Sequence, residues 1–216
     1  EYVAVPAANA YQLPDHVTYR QGALIEPVSC AVHGVDVLSP RLGDTCLIVG
    51  AGTMGLMLLQ LVLRAGVSRV SVLDLNPDRL PRAERLGAGR TSTDLAELME
   101  EDPIGFDCVI DATGVARAQE SAFSAVKRGG KLLIFGVAAE DARVSLSPFR
   151  IYNDEITVLG SMAVLNSFEP AVDLVASGVI NTDELLTGAM SLDEYPQALD
   201  LVRRGEGLKT QILPQQ

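Results

Sequence analysis

The 216-residue sequence predicts a doubly wound α/β fold: a parallel sheet with helices on both faces. Three observations carry that expectation. Short strand-like runs, the first of them (Cys46–Val49) apolar on every residue as a strand buried on both faces requires, alternate with longer helical stretches. The connections between them are short and rich in Gly and Pro. Hydrophobic residues make up 48% of the chain, with no Trp and only 5% aromatics. Small aliphatic side chains must therefore fill the core.

The elements follow in order. Glu1–Val5 alternates like a strand with no lead-in, so the chain is expected to be cut from a longer one. A loop follows, punctuated at Leu13-Pro14-Asp15. Residues 20–38 read as helix, interrupted where Pro27 lacks an N–H. Cys46–Val49 is the first buried strand, and residues 53–65 form an apolar helix stopped at Gly66. Val70–Asp74 is a second strand, followed by a helix over Pro77–Leu86 with Pro in its first turn. A short helix covers 93–100, and Asp107–Asp111 is a strand. Residues 117–126 are helical and closed by Gly129-Gly130. Lys131–Phe135 and Glu155–Leu159 are strands, and 168–177 is a helix. Leu185–Met190, helix 192–204 and Leu208–Leu213 form a tail whose strands are expected to pair with the opening strand. The domain reading is a small unit from 1–36 and 185–216, and a larger one from 37–184.

Charge and composition exclude several function classes. A net charge of −11 offers no basic stripe for a nucleic-acid backbone. No apolar run reaches the ~18 residues of a membrane span. The first residues lack the basic-then-apolar pattern of a signal peptide. Cys30, Cys46 and Cys108 form no close pair, which argues against a disulfide framework and for a reduced, cytoplasmic protein.

The sharpest motif is Gly50-Ala51-Gly52-Thr53-Met54-Gly55, set between a strand and a helix. Gly50 permits the tight turn, Gly52 lets the backbone approach a pyrophosphate, and Gly55 lets the helix pack on the strand. The free N–H groups of the helix start then face the phosphates. Asp74 ends the second strand, 24 residues after Gly50, where an acid accepts from the ribose hydroxyls. A carboxylate there repels a 2′-phosphate, so NAD is expected over NADP. Arg79 stands nearby to meet a phosphate or stack on adenine, or else is a solvated helix charge. Asp74 also has a simpler reading as a strand-end turn residue. Ala112-Thr113-Gly114 and Gly136-Val137-Ala138 lie at the carboxyl ends of strands, where ligands bind in open α/β sheets. Either turn can equally be plain turn chemistry.

Glu26-Pro27 interrupts an apolar stretch, and a buried acid there needs a metal or a donor. Read on spacing alone, Glu26 marks the helix break and faces water. His33 reads as a packed histidine, and Ser29 and Cys30 as small core residues. No Cys/His cluster has zinc spacing, and there is no His-Glu-x-x-His or Gly-x-Ser-x-Gly.

Ala23-Leu-Ile-Glu26-Pro27-Val-Ser-Cys-Ala-Val-His33-Gly34, Gly50–Gly55, Val72-Leu-Asp74-Leu, Asp111-Ala-Thr-Gly114 and Gly205-Glu-Gly-Leu-Lys209 occur in that order. Together they resemble the zinc-dependent medium-chain dehydrogenases, in particular the sorbitol, polyol and threonine dehydrogenase branch. The resemblance implies a Rossmann domain, with remnants of a catalytic domain at both termini. It implies NAD and zinc as cofactors, with hydride passing from a secondary alcohol or polyol to the nicotinamide. Glu26 is then the residue at or beside the catalytic zinc. Gly50, Gly52, Thr53, Met54 and Gly55 form the pyrophosphate turn. Asp74 holds the ribose and Arg79 flanks the adenine, while Thr113, Gly114, Gly136 and Val137 line the trough. The family's Cys and His-Glu zinc ligands have no counterpart in this sequence. A zinc site needs about three protein ligands, so the chain alone is expected to bind NAD without turning over. The resemblance also implies a homodimer or homotetramer through the edge strand Ile156–Ser161. Two other readings are a zinc-free NADPH-dependent enone or quinone reductase of the same superfamily, and a non-catalytic nucleotide-binding module.

Overall fold

The computed structural model describes residues 3–164 and 166–214. Its centre is a six-stranded sheet in which every pairing is parallel. The strands are β1 (Thr45–Val49), β2 (Arg69–Leu73), β3 (Arg90–Ser92), β4 (Phe106–Asp111), β5 (Val126–Ile134) and β6 (Thr157–Gly160), in the order β3-β2-β1-β4-β5-β6. The strand order reverses between β1 and β4. The helices are α1 (Tyr19–Gly22), α2 (Ile25–Leu38), α3 (Thr53–Arg64), α4 (Leu80–Arg85), α5 (Leu95–Glu101), α6 (Ala116–Ser124), α7 (Pro148–Asn153) and α8 (Phe168–Ala176). The expected doubly wound sheet is present.

The period-two alternation of the strands sorts their side chains into two cores. Cys46, Ile48, Val70, Val72, Cys108, Ile110 and Leu133 face one side, where they meet residues of α2, α3 and α8. Leu47, Val49, Leu73, Val109 and Leu132 face the other, against Leu98 of α5 and Ala122 and Phe123 of α6. Almost all of these side chains are fully buried.

Several local expectations need correction. Val3 and Val5 are exposed and not in a strand; Glu1 and Tyr2 lie outside the described residues. The tail strands β7 (Leu186–Ser191) and β8 (Lys209–Leu213) pair with each other in parallel, joined by α9 (Tyr195–Arg203), rather than with the opening segment. The helix break precedes Pro27, which sits in the first turn of α2, where an N–H has no partner within the helix. The expected helix 117–126 stops at Ser124, because buried Val126 already pairs with Phe106. Lys127–Gly130 then bulge out against Asp107, so Gly129-Gly130 lie inside β5 and close no helix. β3 and α7 escaped notice. β3 is three polar residues at the sheet's edge, with no apolar signal to read.

Candidate functional site

At the strand-order reversal the carboxyl ends of β1, β2 and β4 open into a crevice of about 710 Å³. Gly50 and Gly52 form part of its floor, with Val49. Leu73, Asp74, Leu75 and Arg79 make one wall, and Thr113, Val115, Arg117, Ala118 and Ser121 the other. Of the residues singled out from the sequence, Gly50, Gly52, Asp74, Arg79 and Thr113 meet here.

The glycines fit their assigned jobs in different ways. Gly50 adopts φ +105°, a left-handed conformation that side chains resist. Gly55 does not line the crevice. A Cβ on it would sit 1.8 Å from the Gly50 carbonyl oxygen, so it allows α3 to close against the turn. A Cβ on Gly52 would meet no atom within 4 Å. The space beyond its backbone is therefore open, and as the N-cap of α3 it carries no side chain to satisfy the first N–H groups. That open space and those donors fit a pyrophosphate.

Asp74 is nearly buried. Its Oδ2 accepts from the Ala51 N–H at 2.7 Å and its Oδ1 from the Asn76 N–H at 2.8 Å. Arg79 Nη1 lies 3.5 Å from the same Oδ2, and Arg79 Nη2 donates to the Gly205 carbonyl at 3.3 Å. Asp74 thus ties the glycine turn to the end of β2.

Asp111, which the sequence reading did not assign to the site, organises the opposite wall. Fully buried, it accepts from the Thr113 N–H (3.0 Å), the Thr113 hydroxyl (2.5 Å), the Gly114 N–H (3.3 Å) and Gln119 Nε2 (2.9 Å). Its signal was an acid closing the strand run Asp107–Asp111, two residues before Thr113. Gly114 and Gly136 stand back to back behind that wall. A Cβ on Gly136 would come within 2.1 Å of the Gly114 nitrogen. Neither they nor Met54 line the crevice, and Val137 is 91% exposed beyond it. Thr53 points away, its hydroxyl donating to the Leu208 carbonyl at 3.1 Å. Arg117 lines the crevice without having been foreseen, since the sequence does not say which way α6 turns it.

Glu26 does not line this crevice; it is exposed near the start of α2. It accepts from the Cys30 thiol at 3.4 Å. Burial first, and then the neighbouring Glu26 charge, pushes that thiol up to about 11. Among the described residues no group of three or more His, Cys, Asp or Glu side chains could hold a metal ion. The donors present therefore do not make a zinc site by themselves. Among the described residues no helix is long and apolar enough to cross a membrane.

Comparison with known proteins places this geometry in a family. The family model described as zinc-binding dehydrogenase matches residues 53–177, more than half the chain. D-arabinitol dehydrogenase 1 of Uromyces fabae is 38% identical over 99% of this chain and 64% of its own length. Sorbitol dehydrogenase of Bacillus subtilis is 30% identical over 99% and 63%. A zinc-binding dehydrogenase structure from Sinorhizobium meliloti with NADP bound superposes with a TM-score of 0.92 at 33% identity, over 99% of this chain and 65% of that one. The chain thus spans just under two thirds of the length of these relatives. It belongs to the zinc-binding dehydrogenase family.

Proposed function

We propose that the chain is the dinucleotide-binding part of a zinc-dependent polyol dehydrogenase, with NAD lying in the crevice. One observation carries the reading: Gly50 and Gly52 open, uncapped, into the same crevice that Asp74 borders. In this arrangement the N–H groups at the start of α3 bind the pyrophosphate, and Asp74 accepts from the ribose hydroxyls. Arg79 flanks the adenine. Asp111 holds the 113–114 turn in place as the far wall, and Gly114 and Gly136 let the two strand ends approach closely. The bound nicotinamide supplies the hydride acceptor. The NADP in the Sinorhizobium meliloti relative supports the ligand class. The arabinitol and sorbitol dehydrogenases support a polyol as the hydride donor.

Glu26 is proposed as the chain's contribution at or beside the zinc. The incomplete donor set favours nucleotide binding without turnover for the chain by itself. The proposed small unit comprises residues 1–36 and 185–216; the separate β7–β8 sheet supports its second half. Assembly into a homodimer or homotetramer would use β6, the sheet's last strand, whose outer edge has no partner strand among the described residues. Cys46 and Cys108 face each other on neighbouring strands as free thiols, which suits reducing, cytoplasmic surroundings.

Calorimetric titration with NAD tests the reading. Saturable one-to-one binding that Asp74→Ala weakens is expected; no binding at millimolar NAD would refute it.

A further inference from the structure

The β7–β8 sheet is separate from the central sheet, yet the segment that leads into β8 is fastened to the crevice at two points. Gly205–Leu208 connects α9 to β8. The Gly205 carbonyl accepts from Arg79 Nη2 at 3.3 Å, and the Leu208 carbonyl accepts from the Thr53 hydroxyl at 3.1 Å. Arg79 belongs to the crevice wall beside Asp74, and Thr53 opens α3 directly after Gly52 of the floor. One short segment therefore joins the glycine turn to the Asp74 wall. Its far end is locked to β7, because the Leu208 and Lys209 N–H groups donate to the Thr187 hydroxyl at 2.8 and 3.2 Å.

α4 supplies ties of another kind. Arg82 Nη1 donates to the Glu184 carbonyl at 2.8 Å, and Arg85 holds both oxygens of the Glu184 carboxylate at 2.9 and 3.0 Å. Neither arginine lines the crevice, so these contacts hold the tail whether or not the crevice is filled. The ties through Arg79 and Thr53 sit instead on elements that a dinucleotide would fix. A ligand that orders Arg79 and the first turn of α3 reduces the entropy still to be lost when the segment docks on them. The coupling is reciprocal: the docked segment favours the ligand by the same factor.

Resting on the dinucleotide reading above, we infer that Gly205–Leu208 is a strap that tightens on the occupied crevice, with Thr53 as the positioning residue that transmits occupancy to β8. The Thr53 hydroxyl touches no ligand. It acts through the Leu208 carbonyl, and it leaves the N–H groups at the start of α3 free for the pyrophosphate.

Peptide-resolved amide hydrogen exchange of the chain with and without NADH, on wild type, Thr53→Val and Thr53→Ser, tests this. In the wild type NADH is expected to slow exchange over 205–213 about threefold or more, together with 51–55. Thr53→Val should keep the response at 51–55, lose the one at 205–213, and bind NADH about fivefold more weakly, the worth of one neutral hydrogen bond. Thr53→Ser, which retains the hydroxyl, should behave as wild type. A merely structural Thr53 would leave the NADH-dependent difference at 205–213 intact in Thr53→Val, and that result would overturn the proposal. So would NADH binding to the wild type with no change over 205–213, an outcome that decides even if Thr53→Val does not fold and that leaves the dinucleotide reading standing. If NADH does not bind at all, that reading falls and the strap with it.

Discussion

The two ends of the central sheet use acids in opposite ways. At the amino end, Asp107 accepts from the Thr45 N–H and hydroxyl, each at 2.9 Å, and pairs with Lys127. Its partners join the starts of β1, β4 and β5, and none of the three residues lines the crevice. At the carboxyl end, Asp74 and Asp111 hold turns whose backbones border open space. Acids at the first end join strands to one another; acids at the second shape a surface for something else. Substitutions at the first should change stability alone, and at the second they should change stability and binding together.

The largest effect is expected from Gly55→Ala. The added methyl would meet a backbone carbonyl that cannot turn aside, so a destabilisation of about 3 kcal/mol is expected, with loss of NADH binding. Denaturant unfolding and an NADH titration check both halves. Next is Asp111→Asn, which points an amide NH₂ at donors that need an acceptor. A cost of about 2 kcal/mol follows, together with weaker NADH binding as the 113–114 turn loosens. A drop in stability with NADH affinity intact would blur the division between the two ends.

Asp74→Ala should weaken NADH about tenfold, equivalent to about 1.4 kcal/mol, with a smaller change in the thermal midpoint. The smallest effect belongs to the amino end. Burial raises the Asp107 carboxyl, but Lys127 and the two Thr45 donors outweigh it and hold the group below its ordinary value. A depressed folded value gives stability that is fully present above the unfolded pKa of about 3.9 and is lost as pH falls through the lower folded one. Asp107→Asn should therefore flatten the acid limb of a stability-versus-pH curve while leaving NADH affinity unchanged. A steeper limb in the variant would reverse the assigned sign.

How much of this could be read in advance differs along the chain. β1, the glycine turn and α3 are legible because local pattern and tertiary role coincide. A strand apolar on every residue must be buried on both faces, and glycines at fixed spacing declare where backbone meets backbone. The 126–130 bulge was misread because Gly129-Gly130 signals a stop equally well after a helix or within a strand; only the pairing of Val126 with Phe106 decides. β3 is not legible because an edge strand of Arg, Thr and Ser carries no apolar residue, although Ser92 is buried. Within the site, Gly50, Gly52 and Asp74 follow from spacing. Asp111 and Arg117 depend on which way side chains point, and that is settled by packing across the sheet rather than by neighbours in sequence.

Amide hydrogen exchange with and without NADH tests the central claim most directly. The account predicts slowed exchange at the backbone N–H groups of residues 51–55, with further protection near 74–79 and 113–115. Protection centred on the α2 surface around Glu26, or an unchanged 51–55 segment in the presence of bound NADH, would contradict it.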